Sequence, residues 1–182
     1  MNRLVVLLAL LACPLPSLAG DACDAVMPSG LKAVLLSLFA GYRLPRESDN
    51  LPKDIKFARE HAGSGCLGVE TADFDGDGSA DYLVAMTSSD GRGAVVIVAM
   101  SRGANGKFYR LGTWKNDRLR LYVSSAPAGT YDDVGETDGP LEKGAEEHLA
   151  CSHSLAVFGA TESSRVAYCF QNGKWKNVWI SD

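Results

Sequence analysis

The chain has 182 residues, of which 46% are hydrophobic and 22% charged, and its formal net charge at pH 7 is −4. A length of this order with an ordinary apolar fraction fits one globular domain with a sizeable core. The acidic balance argues against nucleic acid as a partner, because nucleic-acid-binding proteins present a strongly basic surface to the phosphates.

The first 19 residues are typical of an export signal. Arg3 precedes an apolar run from Leu4 to Ala12, and the small residues Ser17 and Ala19 form a cleavage site. The run is too short for a transmembrane helix, which needs about 20 apolar residues. We therefore expect a signal peptide over residues 1–19 and a mature protein that is periplasmic or secreted.

A second interpretation of the same segment involves Cys13. The residues Leu10–Cys13 resemble a bacterial lipoprotein box, which implies that Cys13 is lipidated and anchors the chain in the envelope. Pro14 directly after this cysteine and the small residues farther on favour simple cleavage. Membrane attachment is expected only if Cys13 is lipidated.

One amphipathic helix is predicted near the mature N-terminus. Ser29 is a candidate N-cap, and Gly41 supplies a stop. Apolar residues follow at helical spacing between them, at Leu31, Val34, Leu35, Leu38 and Phe39. We expect this helix to pack on a sheet. An extended connector over residues 41–52 and a short helix from Asp54 to His61 are predicted next.

Residues 73–81 have the pattern of a calcium loop. Ca²⁺ takes six to eight oxygen ligands, and a loop folded around it supplies them from positions 1, 3, 5, 7 and 9. These positions are Asp73, Asp75, Asp77, Ser79 through its backbone carbonyl, and Asp81. Gly78 stands at position 6, where the backbone turns sharply. We therefore predict Ca²⁺ as the cofactor.

The loop departs from an EF-hand at its far end. Position 12 is Val84 instead of a bidentate Glu, and the residues after the loop indicate a buried strand. The stretch Gly68–Val84 resembles the calcium loops of FG-GAP and VCBS repeats, in which the loop leads into a strand. The resemblance covers roughly residues 66–101 and implies one blade-like hairpin with a structural calcium ion. No second Asp-x-Asp-x-Asp-Gly run occurs, so a full propeller is excluded.

Beyond Cys66 the apolar pattern is that of strands. Seven are predicted, namely Tyr82–Thr87, Ala94–Met100, Tyr109–Trp114, Leu119–Ser124, Leu155–Phe158, Arg165–Phe170 and Trp175–Ser181. Asp90–Gly91, Asn105–Gly106 and Asn172–Gly173 suit tight antiparallel turns. The predicted fold is mainly β (α+β), an antiparallel partial-propeller or sandwich-like sheet with one N-terminal helix. Residues 20–182 are expected to form this single calcium-binding domain.

Four cysteines remain in the mature chain, an even number that favours two disulfides in an oxidising compartment. Four cysteines allow three pairings. Because Cys151 and Cys169 flank a predicted hairpin, we favour their pairing, which leaves Cys23 with Cys66. The second bond would tie the N-terminal segment to the strand that enters the calcium loop.

Two further stretches resemble a looser group. The closing hairpin from Val166 to Asp182 and the segment Gly41–Pro45 resemble parts of small bacterial envelope proteins that share a single Asp loop. This resemblance implies a fold more than an activity.

The acidic segment 125–150 lies between predicted strands. Loops of this length are functional or disordered, so it is either a solvated excursion or an acidic surface that docks on a basic partner. Residues 128–131 resemble the Ser-Gly-x-Tyr loop of periplasmic lysozyme inhibitors and immunity proteins at Gly129 and Tyr131, with Ala128 replacing the serine. The resemblance implies a protein partner, a cell-wall hydrolase or toxin, with Tyr131 as anchor. A turn with a solvent-facing tyrosine is the alternative.

The sequence contains no catalytic signature. A Gly-x-Ser-x-Gly elbow, a His-Glu-x-x-His helix and a phosphate-binding glycine loop are all missing. His148, Cys151 and His153 fit no zinc spacing. We therefore expect an exported calcium-binding, non-enzymatic protein-binding module of the bacterial envelope, an inhibitor or immunity protein against a peptidoglycan-cleaving toxin. The alternatives are a metal-dependent envelope hydrolase centred on the Asp loop, and a structural or adhesive lipoprotein.

Overall fold

A computed structural model of the chain describes residues 20–101, 106–135 and 144–181. The fold is mainly β with few helices and antiparallel sheets, as the sequence predicted. The expected signal peptide over residues 1–19, which includes Cys13, lies outside the described residues. Within the described ranges, every helix falls short of the length and apolar character needed to cross a bilayer.

Three α-helices precede most of the strands, α1 (Ala22–Val26), α2 (Ser29–Leu38) and α3 (Pro52–Ala62). The prediction of Ser29 as N-cap was wrong, because the cap is Pro28 and no side chain bonds the first turn. Helix α3 begins two residues before the predicted Asp54, since proline fits the first position of a helix. The predicted connector also contains a 3₁₀ helix, Glu47–Asp49.

Eleven strands lie in the described residues. They are β1 (Tyr42–Arg43), β2 (Val69–Ala72), β3 (Asp81–Ser88), β4 (Ala94–Met100), β5 (Lys107–Trp114), β6 (Leu121–Ala126), β7 (Gly129–Asp132), β8 (His148–Cys151), β9 (Leu155–Ala160), β10 (Arg165–Gln171) and β11 (Lys174–Ser181). All seven predicted strands are confirmed, with ends shifted by no more than two residues. A 3₁₀ helix, Arg118–Arg120, delays the start of β6. The four strands that the sequence did not predict have two to four residues each.

The strands form two sheets and a separate hairpin. Sheet A has the order β1-β3-β4-β5, with β2 also paired to β3, and sheet B has the order β11-β10-β9-β6. Every pairing between these strands is antiparallel. Side chains of both sheets share one apolar cluster, in which Leu83 and Val96 of sheet A meet Val123 and Phe158 of sheet B. Of the two predicted architectures, the structure is therefore the sandwich.

The central strands are covered on both faces. In β3, Leu83 points into the cluster between the sheets, whereas Val84 points to the opposite face, because successive side chains of a strand alternate. On that face Cys23 and Leu35 from α1 and α2 cover sheet A. On the outer face of sheet B, Leu149 of β8 packs in a third cluster. The molecule thus has four layers, with helices outside sheet A and the β7–β8 hairpin outside sheet B.

Each disulfide fastens one outer layer. Cys23 of α1 is bonded to Cys66, just before β2. Cys151 at the end of β8 is bonded to Cys169 in β10. This is the pairing that the sequence favoured. Because an outer layer buries only one face, a covalent bond to the neighbouring sheet helps to keep it in place.

The acidic segment is not a single long excursion. Within residues 125–150, β7 and β8 pair in register from Gly129 opposite Cys151 to Asp132 opposite His148. Residues 136–143, which contain part of the acidic run, lie outside the described residues. Two of the predicted turns are confirmed by positive φ angles at Gly91, Asn172 and Gly173. The third includes Asn105, which is also outside the described residues.

Candidate metal centre

The Asp loop connects β2 to β3 and turns through two glycines. Gly76 has a φ of 76° and Gly78 a φ of 83°. These are left-handed conformations that glycine adopts without steric cost. The sequence identified Gly78 in this role, and Gly76 adds a second sharp turn between the two central aspartates.

The loop wraps around the carboxylate of Asp73. Its Oδ1 accepts hydrogen bonds from the backbone N–H groups of Gly76 (2.7 Å) and Asp77 (3.1 Å). Its Oδ2 accepts one from the N–H of Gly78 (2.9 Å). Asp77 in turn accepts from the N–H of Ser79 (2.8 Å). These bonds hold several N–H groups inward and fix the side chains of the loop close to one another.

Three carboxylates converge at this loop. One oxygen each of Asp73, Asp75 and Asp77 lies within 4.8 Å of the others. Two oxygens that bind the same Ca²⁺ at about 2.4 Å are at most about 4.8 Å apart. The spacing and the hard oxygen donors therefore fit Ca²⁺. The role of the Ser79 backbone carbonyl as a further ligand stays a prediction.

Asp81 occupies a different position from the other predicted ligands. Its side chain is fully buried, and its two oxygens accept hydrogen bonds from the backbone N–H groups of Phe74 (2.9 Å) and Ser101 (2.8 Å). Burial raises the pKa of Asp81, the two N–H groups oppose this, and the charges of Asp75 and Asp77 raise it further. Asp81 closes the loop against the sheet. It is not among the three clustered carboxylates, and its role as a ligand stays a prediction.

Two residues that the sequence analysis did not associate with the loop hold it on the core. Phe74, between the first two aspartates, is fully buried in the cluster between the sheets. The ring of His153 lies against Gly76, where an added Cβ would be 3.2 Å from Nδ1. Phe74 is a large apolar side chain in a loop of aspartates and glycines, which is a local signal for burial. Nothing in the sequence predicts the contact of His153, which is distant along the chain.

His153 does not form the transition-metal site that the sequence analysis considered. Its Nε2 lies 3.9 Å from Sγ of Cys169, but Cys169 and Cys151 are bonded to each other. Sulfur in a disulfide is not a thiolate and is a poor metal ligand. The imidazole of His148 instead pairs with Asp132 at 2.8 Å, which raises its pKa.

The predicted partner-binding residues lie in β7 and not in a protruding loop. Gly129 is exposed, but Tyr131 is half-buried and packs against the third cluster. Its hydroxyl donates to the carbonyl of Pro127 at 2.7 Å. The interpretation of residues 128–131 as a turn with a solvent-facing tyrosine was therefore wrong, since strand pairing with β8 turns Tyr131 toward the core.

Acidic side chains next to the hairpin are engaged within the molecule. Asp133 accepts from the N–H of Trp179 at 3.0 Å, and Glu146 pairs with Lys176 at 2.8 Å. These contacts join the base of the hairpin to β11.

A comparison with protein-family models, with curated proteins and with solved structures finds no match for this chain.

Proposed function

We propose that this protein is an exported, calcium-binding module that acts by binding another protein and not by catalysis. The observation that carries the proposal is the convergence of Asp73, Asp75 and Asp77 within 4.8 Å. Like charges at such distances repel one another, and a divalent cation relieves that repulsion.

The position of the loop supports a stabilising role for the ion. Phe74 connects the loop to the core. Asp81 connects it to the N–H of Ser101, directly after β4. His153 connects it to the segment after β8. An ion bound between the aspartates would fix the β2–β3 connection where these parts meet. Because binding to the native state adds to folding free energy, Ca²⁺ is expected to raise thermal stability.

Thermal melts with Ca²⁺, with Mg²⁺ and with a chelator test this role. For a Kd near 10⁻⁴ M, 10 mM Ca²⁺ adds about 2.7 kcal/mol, or a rise in Tm of roughly 5–10 °C for a domain of this size. Asp75→Asn should abolish the rise. Asp117→Asn, an exposed control in a left-handed conformation that asparagine tolerates, should retain it. A wild-type Tm equal in Ca²⁺ and chelator would refute calcium binding.

Covalent chemistry supports the proposed compartment. Two disulfides are consistent with an oxidising environment. Within the proposal, the mature chain is periplasmic or secreted, and lipid attachment at Cys13 is the alternative. Mass spectrometry of the protein purified from the envelope distinguishes the two, because cleavage after Ala19 and a lipidated Cys13 give different N-terminal peptides.

The proposed partner is a cell-wall hydrolase or toxin, and the β7–β8 hairpin is the proposed contact. Its support is that Gly129 and Thr130 are exposed on a layer secured by the Cys151–Cys169 bond. Such a rigid and exposed edge limits the entropy lost on binding. The half-buried Tyr131 then has the role of supporting the edge.

Inhibition of a panel of muramidases measures this activity. Thr130→Arg should weaken inhibition at least tenfold, because it places a bulky cation in the proposed contact. Thr113→Arg makes the same change at an exposed position in β5 of sheet A, outside the hairpin, and should leave inhibition unchanged. Absence of inhibition by the wild type, or equal loss in both variants, would contradict the proposal.

A further inference from the structure

The outer face of sheet B is covered over only part of its area. The β7–β8 hairpin packs on one part. Beside the other part, α3 and the β9–β10 turn border a cavity of about 880 Å³. That volume is in the range of sites for small organic ligands. The cavity is separate from the Asp loop and independent of the proposed function.

Four residues from four strands form a row across the floor of this cavity. Tyr122 of β6 is opposite Gly159 of β9, and Gly159 is opposite Arg165 of β10. Arg165 is in turn opposite Ser181 of β11. Tyr122, Arg165 and Ser181 line the cavity. Because directly opposed residues project to the same face of a sheet, the row places an aromatic ring, a bare backbone, a guanidinium and a hydroxyl side by side.

Glycine is required in this row. A Cβ at Gly159 would lie 2.4 Å from the carbonyl oxygen of Ser164 and 2.9 Å from Cγ of Arg165. The stem of Arg165 therefore lies over Gly159, close to the sheet. Nε of Arg165 donates to Oγ of Ser181 at 2.9 Å, which restrains the guanidinium within the row.

Helix α3 supplies an aromatic wall. Phe57 is 62% exposed, although it is a large apolar side chain, and its ring stacks on His61 with centroids 4.0 Å apart. Both residues line the cavity, with Ala58 between them on the helix. Exposed aromatic faces near the ring of Tyr122 favour a ligand with a flat aromatic ring, because stacking and desolvation act together.

Among the described residues that line the cavity, the charged groups leave one cation, Arg165, for a ligand. Lys53 is paired with Glu162 at 2.9 Å, and Asp54 accepts from the hydroxyl of Thr161 at 3.0 Å. These contacts join α3 to the β9–β10 turn. Arg165 makes no ion pair with any residue in the described part of the chain. A guanidinium is well suited to bind a carboxylate in its plane.

We propose that this cavity binds a small aromatic carboxylate, with its ring against Tyr122 and the aromatic wall of α3 and its carboxylate on Arg165. The size of the cavity favours a small molecule over a polypeptide segment. The ring contacts give affinity, and the guanidinium selects the anion.

Titration of the oxidised mature protein with 2-naphthoate, followed by amide chemical shifts, tests the proposal. A Kd of about 1 mM is expected from the size of the probe, with the largest shifts at Tyr122 and Arg165. The neutral 2-naphthamide should bind at least about tenfold more weakly, since it lacks the charge-assisted contact. This comparison needs no variant.

Arg165→Gln should weaken 2-naphthoate binding about tenfold and leave 2-naphthamide binding nearly unchanged. Lys174→Gln, the same loss of charge at an exposed residue of β11, should bind both probes as the wild type does. The proposal is overturned if 2-naphthoate up to 10 mM gives no saturable shift. It is also overturned if acid and amide bind equally, or if shifts map to the Asp loop or the hairpin. If Arg165→Gln lowers the Tm of the protein, Tyr122→Leu provides the second test. This variant should bind both probes more weakly than the wild type does.

Discussion

Substitution of Asp49 by Asn should cause one of the largest losses of stability in this protein. Asp49 is 6% exposed and accepts hydrogen bonds from Arg43 (2.5 and 2.9 Å), from the hydroxyl of Thr87 (2.8 Å) and from the N–H of Arg46 (2.9 Å). Burial raises the pKa of Asp49, but these bonds outweigh it and the net pKa is lowered. Nη2 of Arg118, a residue only 1% exposed, lies 3.9 Å away.

The expected magnitude follows from the charges left behind. Burial lowers the pKa of Arg118 to about 10, and the charge of Asp49 opposes this shift. An asparagine would leave the buried Arg118 without its compensating anion. Loss of one partner of a buried ion pair costs about 3–5 kcal/mol, which corresponds to a fall in Tm of roughly 6–20 °C for a domain of this size.

Urea unfolding followed by circular dichroism measures this loss. The matched control is Asp24→Asn, which removes a largely exposed partner of Lys32 and should change stability little. Arg118→Met should cost less than Asp49→Asn, because Asp49 keeps its bonds to Arg43. Equal unfolding midpoints for Asp49→Asn and Asp24→Asn would refute the assignment of Asp49 as the anion of a buried network.

Three other perturbations are expected to act through the same physical terms. The pKa of Asp49 is lower in the folded state than in the unfolded state. Its contribution to the free energy of unfolding should therefore be complete above the unfolded pKa of about 3.9, and it should be lost as the pH falls through the folded-state pKa. Acid titration of the melting curve should show this loss in the wild type and not in Asp49→Asn. Phe74→Ala should cost about 3–5 kcal/mol in urea unfolding, since a fully buried ring leaves a cavity; a cost below 1 kcal/mol would contradict its role as the anchor of the loop. Cys23 and Cys66 are 43 residues apart, and removal of their bond should lower the free energy of unfolding by about 4 kcal/mol. Cys151 and Cys169 are 18 residues apart, and removal of their bond should lower it by about 3 kcal/mol. If the cysteine-to-serine double variants showed the reverse order, the loop-entropy argument would be contradicted.

The long strands were predictable because each carries its own signal. The predicted and observed bounds of β4 are the same, Ala94–Met100. Seven consecutive apolar residues near an Asp-Gly turn favour a buried strand over other local structures. The short strands have no such signal. Strand β2, with four residues and one exposed position, exists because β3 offers it a partner, and no local pattern reveals that partner.

The segment around Tyr131 shows the limit of local motifs. Two residues matched an inhibitor loop, yet pairing of β7 with β8 places Tyr131 against the third cluster. The partner strand is separated from it by residues 136–143 and by the acidic run. Register across such a gap depends on burial of Leu149 and on the Cys151–Cys169 bond, so it is a property of the assembled layers.

The sequence by itself determined the mainly β class, the seven long strands, the favoured disulfide pairing and the cluster of aspartates, because these features arise from residues close together in the chain or from counting cysteines. Only the tertiary structure decided that the sheets form a sandwich and that Asp81 and His153 fasten the loop. It also brought Tyr122, Gly159 and Arg165 into one row. Such contacts join residues far apart in sequence, and their free energy comes from burial that exists only after the layers have packed.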